Sequence, residues 1–348
     1  MYKELLDKLA KEHELSYSEY LTLIQNRESV REYAFKLARL ACEEYYGNKV
    51  YIRGLIEFTN YCKNNCLYCG IRLGNKKVSR YRLEPSEIVE CADIGYKLGF
   101  RTFVMQGGED NYYTDEILVD IISKIKNKYP DCAITLSLGE RSKESYKKLK
   151  DAGANRYLLR HETCDKSHYE LLHPSNMSYD NRLECIKYLK ELGYQVGVGF
   201  MVGSPYQTDS MLANELLFLK KLNPEMVGIG PFIPSSDTPF GNEMAGSSEL
   251  TTFLLSLIRL TLPNVLLPAT TALGTIDKLG REKGILAGAN VLMPNLSPSS
   301  VRKKYLLYDN KICTGDEAAR CVGCLKERIK STGCEIVIDR GDYAYNKA

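Results

Sequence analysis

From about residue 50 onward the chain keeps one rhythm, in which short apolar runs alternate with longer amphipathic stretches. The runs fall at 54–58, 102–106, 133–138, 156–160, 196–201, 226–229, 265–268 and 290–293. Helical periodicity fills intervals such as 87–98, 115–126, 143–150, 181–192 and 212–222. Eight such units predict an α/β fold, a closed (β/α)8 TIM-type barrel. An open doubly wound sheet also alternates strands and helices, but it needs fewer units. It usually carries a G-x-G-x-x-G phosphate loop after its first strand, where this chain carries a cysteine-rich loop. Gly95, Gly153, Gly193 and Gly288 sit where helices are expected to stop.

Residues 1–50 read as a helical extension, with apolar residues at helical spacing (Leu5, Leu6, Leu9; Ala34, Leu37, Leu40). The barrel is expected over 51–300 and a cysteine-bearing C-terminal segment over 301–348. At 348 residues and 44% hydrophobic the chain can bury a large core, and a net charge of +3 favours neither nucleic acid nor membrane. No apolar stretch approaches a membrane span. The N-terminus carries acids, unlike a secretory or transit peptide. Twelve cysteines without an export signal suggest a reducing compartment, so the expected location is cytoplasmic.

The loop after the first barrel run reads Cys62-x3-Cys66-x2-Cys69. It offers three thiolates, whereas a closed structural metal site wants four ligands. A [4Fe–4S] cluster held by three cysteines keeps one iron open to a chelating small molecule. That arrangement points to S-adenosylmethionine (SAM) and radical chemistry, with Tyr68 offering a face for adenine. A zinc site completed by a distant His or Cys is the alternative.

Barrel enzymes place their chemistry at the C-terminal strand ends, and here those ends are polar. The cofactor-facing candidates are Tyr68, Gln106, Gly107, Thr135, Ser137, Glu162, Arg182 and Met293. Arg182 suits the SAM carboxylate, while Glu162 and Gln106 suit its amino group and ribose. Gly107 and Gly108 let backbone approach a ligand. The bland readings are an internal ion pair within Arg160-His161-Glu162, backbone-satisfying roles for Thr135 and Ser137, and core filling by Met201 and Met293. His161 reads equally as a core histidine, and His168 and His173 are expected to be exposed.

A second cysteine group, Cys313, Cys321 and Cys324, lies beyond the last run. It suggests a peripheral second Fe–S cluster ([2Fe–2S] or [4Fe–4S]), or a zinc site with Cys334 as fourth ligand. Cys42, Cys91, Cys132 and Cys185 read as small buried hydrophobes. Cys164 stands apart because it follows the fourth strand end.

From about residue 50 to 325 the chain resembles the HydE family, radical SAM maturases of [FeFe]-hydrogenase within the biotin-synthase-like group. The strings that carry the resemblance are Glu57-Phe-Thr-Asn60, Leu136-Ser-Leu-Gly-Glu140, Arg156-Tyr-Leu-Leu-Arg-His-Glu-Thr163, Met226-Val-Gly-Ile-Gly-Pro-Phe-Ile-Pro234, Pro268-Ala-Thr-Thr-Ala-Leu-Gly-Thr275 and Gly288-Ala-Asn-Val-Leu-Met-Pro-Asn295. The resemblance implies a SAM-bound [4Fe–4S] cluster above an internal cavity. It also implies action on an iron–cysteine complex carrying CO and cyanide, in assembly of the diiron subcluster. Arg160, Thr270, Thr271, Met293, Tyr305 and Tyr308 match its cavity-lining positions, and Cys313, Cys321 and Cys324 its accessory-cluster cysteines. Implied partners are this small organometallic or amino-acid-derived substrate, a reduced ferredoxin- or flavodoxin-type electron donor and other hydrogenase maturases. Gly107 replaces a more polar residue, which leaves one SAM contact to the backbone. The run from Met201 to Tyr206 departs from a Met-Val-Gly-Leu-Pro-Gly pattern. Methylornithine synthase, biotin synthase and a non-catalytic Fe–S carrier are the competing readings.

Overall fold

The structure, a computed structural model, describes residues 1–315 and 318–345, without the side chains of 318–321. Its strands are β1 (Lys49–Ile52), β2 (Gly54–Thr59), β3 (Thr102–Gly107), β4 (Ala133–Ser137), β5 (Arg156–Leu158), β6 (Gln195–Val198), β7 (Met201–Val202), β8 (Met226–Val227), β9 (Gly230–Pro231), β10 (Val291–Leu292) and β11 (Glu335–Val337).

Strands β2, β3, β4, β5, β6 and β8 form one parallel sheet in that order. The ring then closes through single parallel bridges, Met226 to Leu266, Pro268 to Val291, and Asn295 back to Leu55. That closure excludes the open sheet and gives the TIM-type barrel. The seventh run, 265–268, makes single bridges but no regular strand among the described residues, and Leu267 N bonds the Asn290 side chain instead of a neighbouring strand. The fifth and sixth runs each break in two, β6 with β7 and β8 with β9. A Cβ on Gly199, between β6 and β7, would stand 2.0 Å from the carbonyl oxygen of Gly228, so the two chains approach as bare backbone at the break.

The helices start where capping chemistry places them. Thr114 accepts from Ile117 N ahead of helix Asp115–Lys128, with acids in its first turn and lysines in its last. Glu84 and Glu87 form a capping box, with proline at N1, for helix Pro85–Lys97. Gly95 lies inside that helix, contrary to expectation, and the chain turns at Gly99 instead. Its missing side chain leaves room for Leu296 and Phe103. Helices Tyr2–Glu12, Tyr17–Gln25 and Arg31–Tyr46 precede the barrel, and Leu9, Leu23, Ile24 and Ala38 bury their inner faces. They cover helix Ser248–Thr261, which is buried on nearly every side. Thr251, Thr252, Ser256 and Thr261 turn back on their own helix, as Thr251 Oγ1 does to Ser247 O at 2.7 Å. Among the described residues no helix is long and apolar enough to cross a membrane.

At the opposite end from the cysteine loop, β11 pairs with β1, and residues 340–344 run across the barrel floor. Arg156 and Arg53, both buried, donate there to the carbonyl oxygen of Gly341.

Candidate active site

The cysteine loop leaves the end of β2 and is knitted from several directions. Asn60 donates to Ser79 O and Lys304 O, and Lys63 N donates to Glu109 O at 2.9 Å. Arg80 gathers the loop's carbonyls, donating to Asn60 O, Ile71 O, Arg72 O and Asn75 O. Leu67 N reaches Leu172 O, and Gly70 N reaches Leu307 O. A side chain on Gly108 would meet Tyr61 O at 2.1 Å. Gly108 thus brings the cysteine loop itself against β3, where a ligand approach had been expected.

Cys62, Cys66 and Cys69 all line one internal cavity of about 350 Å3 at the strand ends. Burial holds all three thiols above their usual range, Cys69 at about 12, and neighbouring thiols add to the effect at Cys66 and Cys69. They ionise there only beside a cationic partner such as iron. Among the described residues no three His, Cys, Asp or Glu side chains converge on a single ion position.

The cavity also exposes polar atoms with nothing to bond. Thr135 Oγ1, Arg160 Nε and Nη2, and Glu162 Oε2 are buried without a hydrogen-bond partner. Arg160 and Glu162 stand 3.1 Å apart as an ion pair, yet neither atom is aligned for a hydrogen bond. Unpaired buried polar atoms are costly, so these await a polar ligand. Glu162 holds a left-handed backbone, φ 67°, which turns it off the strand end. Thr135 therefore does not serve the backbone, and the residue set fits a small, highly polar cofactor such as SAM.

Tyr68, Gln106, Gly107, Ser137, Met293, Thr270, Tyr305 and Tyr308 line the same cavity, as does Arg182. Arg182 is anchored by Glu140 through Nε and by Arg160 O through Nη1, leaving Nη2 without a hydrogen bond among the described residues. Gln106 Nε2 donates to Tyr305 Oη at 3.2 Å. Thr271 is not brought to the cavity, because it begins helix Thr271–Ile276 behind its cap Thr270. Met201 both lines the cavity and packs with Phe232 and Phe240.

His161 takes its core reading, while His168 and His173 correct theirs. His161 is fully buried and turns away from the cavity to Glu215 Oε2 at 2.8 Å. His168 and His173 are buried, not exposed. His168 bonds Thr163 Oγ1 and Pro205 O, and His173 sits behind Tyr68 with Nε2 3.1 Å from its hydroxyl. A polar stretch hid them, since short helix Lys166–Leu172 packs its His face inward.

Of the second cysteine group, Cys313 and Cys324 lie away from the cavity lining. Cys313 Sγ is 3.4 Å from Arg281 Nη2, Cys324 is exposed, and the side chain of Cys321 lies outside the described residues. Cys334 is buried in the main apolar core. Sequence reasoning left Glu57, Arg80 and Glu109 without roles, because a lone charge in a basic loop or strand reads as solvated. Asn60 carries a visible signal, since it adjoins the cysteine loop within a quoted string.

The chain matches the Radical SAM superfamily over residues 56–219. It is 46% identical over 331 residues to the [FeFe] hydrogenase maturase subunit HydE of Thermotoga maritima, covering 95% of this chain and 94% of that protein. It is 29% identical to the 3-methylornithine synthase of Methanosarcina acetivorans, over 87% and 85% of the two chains. The crystal structure of methylornithine synthase (PylB) superposes with a TM-score of 0.85 at 28% identity, over 96% and 97% of the chains. With that identity maintained along almost its whole length, around a three-thiol cavity at the barrel mouth, the chain belongs to the radical SAM enzymes and, among them, to the HydE family of [FeFe] hydrogenase maturases.

Proposed function

We propose that this enzyme works in assembly of the [FeFe]-hydrogenase diiron subcluster, acting on a small iron–cysteine complex that carries CO and cyanide. The observation that carries the reading is the cavity itself, where three thiols, Thr135 and the Arg160–Glu162 ion pair, with buried atoms that lack hydrogen bonds, face one chamber. The 46% identity to a HydE subunit supports it. When bound at Cys62, Cys66 and Cys69, a [4Fe–4S] cluster with SAM supplies a 5′-deoxyadenosyl radical on one-electron reduction.

The chain's residues then bind, orient and shield. Arg182 offers Nη2 to the SAM carboxylate, while Glu140 fixes its guanidinium. Glu162, Gln106, Thr135 and Ser137 take the amino and ribose groups, the backbone at Gly107 and the Tyr68 face take the adenosine, and Met293 packs against the cofactor. Arg160, Thr270, Tyr305 and Tyr308 hold the substrate, the first as counter-ion to cyanide-bearing anions. The apolar walls from Val104, Leu158 and Leu266 exclude water from radical chemistry. Cys313, Cys321 and Cys324 carry a second, peripheral Fe–S cluster, and a reduced ferredoxin or flavodoxin supplies electrons.

The test is anaerobic reconstitution, with SAM cleavage compared between the iron–cysteine complex and lysine. Stimulation by the iron complex alone supports the maturase reading. Stimulation by lysine with methylornithine formed supports the second reading, which the likeness to methylornithine synthase favours. Cys66→Ser should reduce cleavage by at least about a hundredfold, and retained turnover removes the cluster assignment.

A further inference from the structure

Residues 303–315 cross the barrel mouth without a regular helix or strand, so contacts with the rest of the fold must set their course. Three of them, Tyr305, Leu307 and Tyr308, line the cavity. The segment is stitched to the cysteine loop through Asn60 to Lys304 O and Gly70 N to Leu307 O. Its one deeply buried charge is Lys311, whose side chain is 5% exposed and pairs with Glu57, 1% exposed, at the cavity end of β2. Lys311 Nζ also donates to Tyr305 O at 2.8 Å and lies 4.7 Å from the centre of the Tyr305 ring. Asn295 Nδ2 occupies the other Glu57 oxygen at 2.8 Å. Neither Glu57 nor Lys311 lines the cavity.

We propose that Glu57 and Lys311 are positioning residues, a buried ionic latch that holds the segment 304–311 down as the roof of the reaction chamber. The physical reason is asymmetry. Glu57 is fixed in a strand paired along β3, whereas Lys311 is carried by irregular chain. Breaking one partner strands a buried charge, which is far more costly than never having had the pair. The movable side relaxes, carrying Tyr305 and Tyr308 with it. One ammonium thus orders both the carbonyl and the ring of Tyr305, whose hydroxyl meets Gln106 at β3. The chamber role rests on the functional reading above, while the latch itself does not.

Hydrogen exchange of the cofactor-free protein tests the latch, and the ratio of product to 5′-deoxyadenosine in the reconstituted enzyme tests its role. Lys311→Met should raise exchange in 303–313 about tenfold while β2 to β6 stay protected. It should also lower the product ratio about fivefold as cleavage runs uncoupled. Lys311→Arg, which keeps the charge, should recover much of both. If Lys311→Met fails to fold, Glu57→Gln removes the charge while keeping an acceptor for Asn295. Unchanged exchange in 303–313 overturns the latch. Faster exchange with an unchanged product ratio overturns the positioning role and leaves a purely structural pair. A wild type that cleaves no SAM defeats the functional reading, and exchange still decides the latch.

Discussion

Tyr206 occupies a left-handed backbone, φ 68°, with 59% of its surface exposed. Its ring meets Phe240 edge-on at 6.2 Å. The pattern this run departs from carries glycine there, and the dihedral explains why, because a Cβ in that region costs about 1–2 kcal/mol. Tyr206→Gly should therefore raise the unfolding free energy read from urea titration by about 0.5–1 kcal/mol, after the lost Phe240 contact and added chain entropy are offset. A lowered midpoint would show that the ring contact outweighs the strain. His173 teaches a second lesson at this scale. Burial lowers its pKa to about 3, against the opposing effect of its Nδ1 bond to Tyr169 O. The ring is neutral at pH 7, Nδ1 must donate to that carbonyl, and Nε2 must accept from Tyr68. The unfolded chain binds the proton near pH 6.5, so stability is complete above that value and falls as pH drops towards 3. Between pH 7 and 5 this one group should cost about 2 kcal/mol, and His173→Gln should flatten the pH dependence of the unfolding free energy by that amount. An undiminished slope would place the acid sensitivity elsewhere. The identity of these residues was plain in the sequence, but their burial was not, because it depends on which face of a seven-residue helix meets the cysteine loop.

Elements were legible where periodicity is strong. Helix Asp115–Lys128 and strands β3 and β4 fall within a residue or two of their expected bounds, because each carries a clean pattern and the helix also a cap. The run 265–268 departs furthest from expectation. Four apolar residues looked like a strand, yet the chain there makes bridges to Met226 and Val291 and borrows a side chain to finish its bonding. Asn290 Oδ1 accepts from Leu267 N at 3.0 Å and from Arg259 Nη2 at 3.2 Å. Arg259 is itself fully buried, with its other nitrogens on Gly288 O and Pro263 O. Asn290→Ala should thus leave a backbone N–H and part of a guanidinium unpaired in the core. The expected loss is about 2–4 kcal/mol of unfolding free energy, read by denaturant titration. A loss below about 1 kcal/mol would mean that water or a shift of Arg259 replaces the amide. No hydrophobic pattern announces such a residue, since its worth lies in two partners distant in sequence.

At the scale of the whole molecule, the barrel is closed above by chemistry and below by the C-terminal chain. Barrel, cysteine loop and cavity position followed from the repeat of strand and helix, because that order dictates which ends face together. The floor did not, since Glu335–Val337 is only three residues and the chain after it is charged and tyrosine-rich. Yet β11 pairs with β1, Asp342 Oδ1 takes Arg156 Nη2 at 2.7 Å, and Arg340 O takes Thr102 Oγ1 at 2.7 Å. Burial disfavours the charge of Arg53, and neighbouring Arg156 disfavours it further, so the acceptors brought by 340–342 stabilise two guanidiniums at once. A chain ending after Cys334 should lose more than about 3 kcal/mol of stability, because Arg156 is left buried without its carboxylate. Asp342→Asn separates charge from shape, since the amide keeps an oxygen acceptor at the same place. It should cost less than the truncation and leave the cavity closed, whereas the truncation should let a solvent quencher reach the barrel interior from below. Equal stability of the truncated and full chains in denaturant titration would mean that the floor is held by the core packing of β1 and β10 alone, and that the two arginines find water instead.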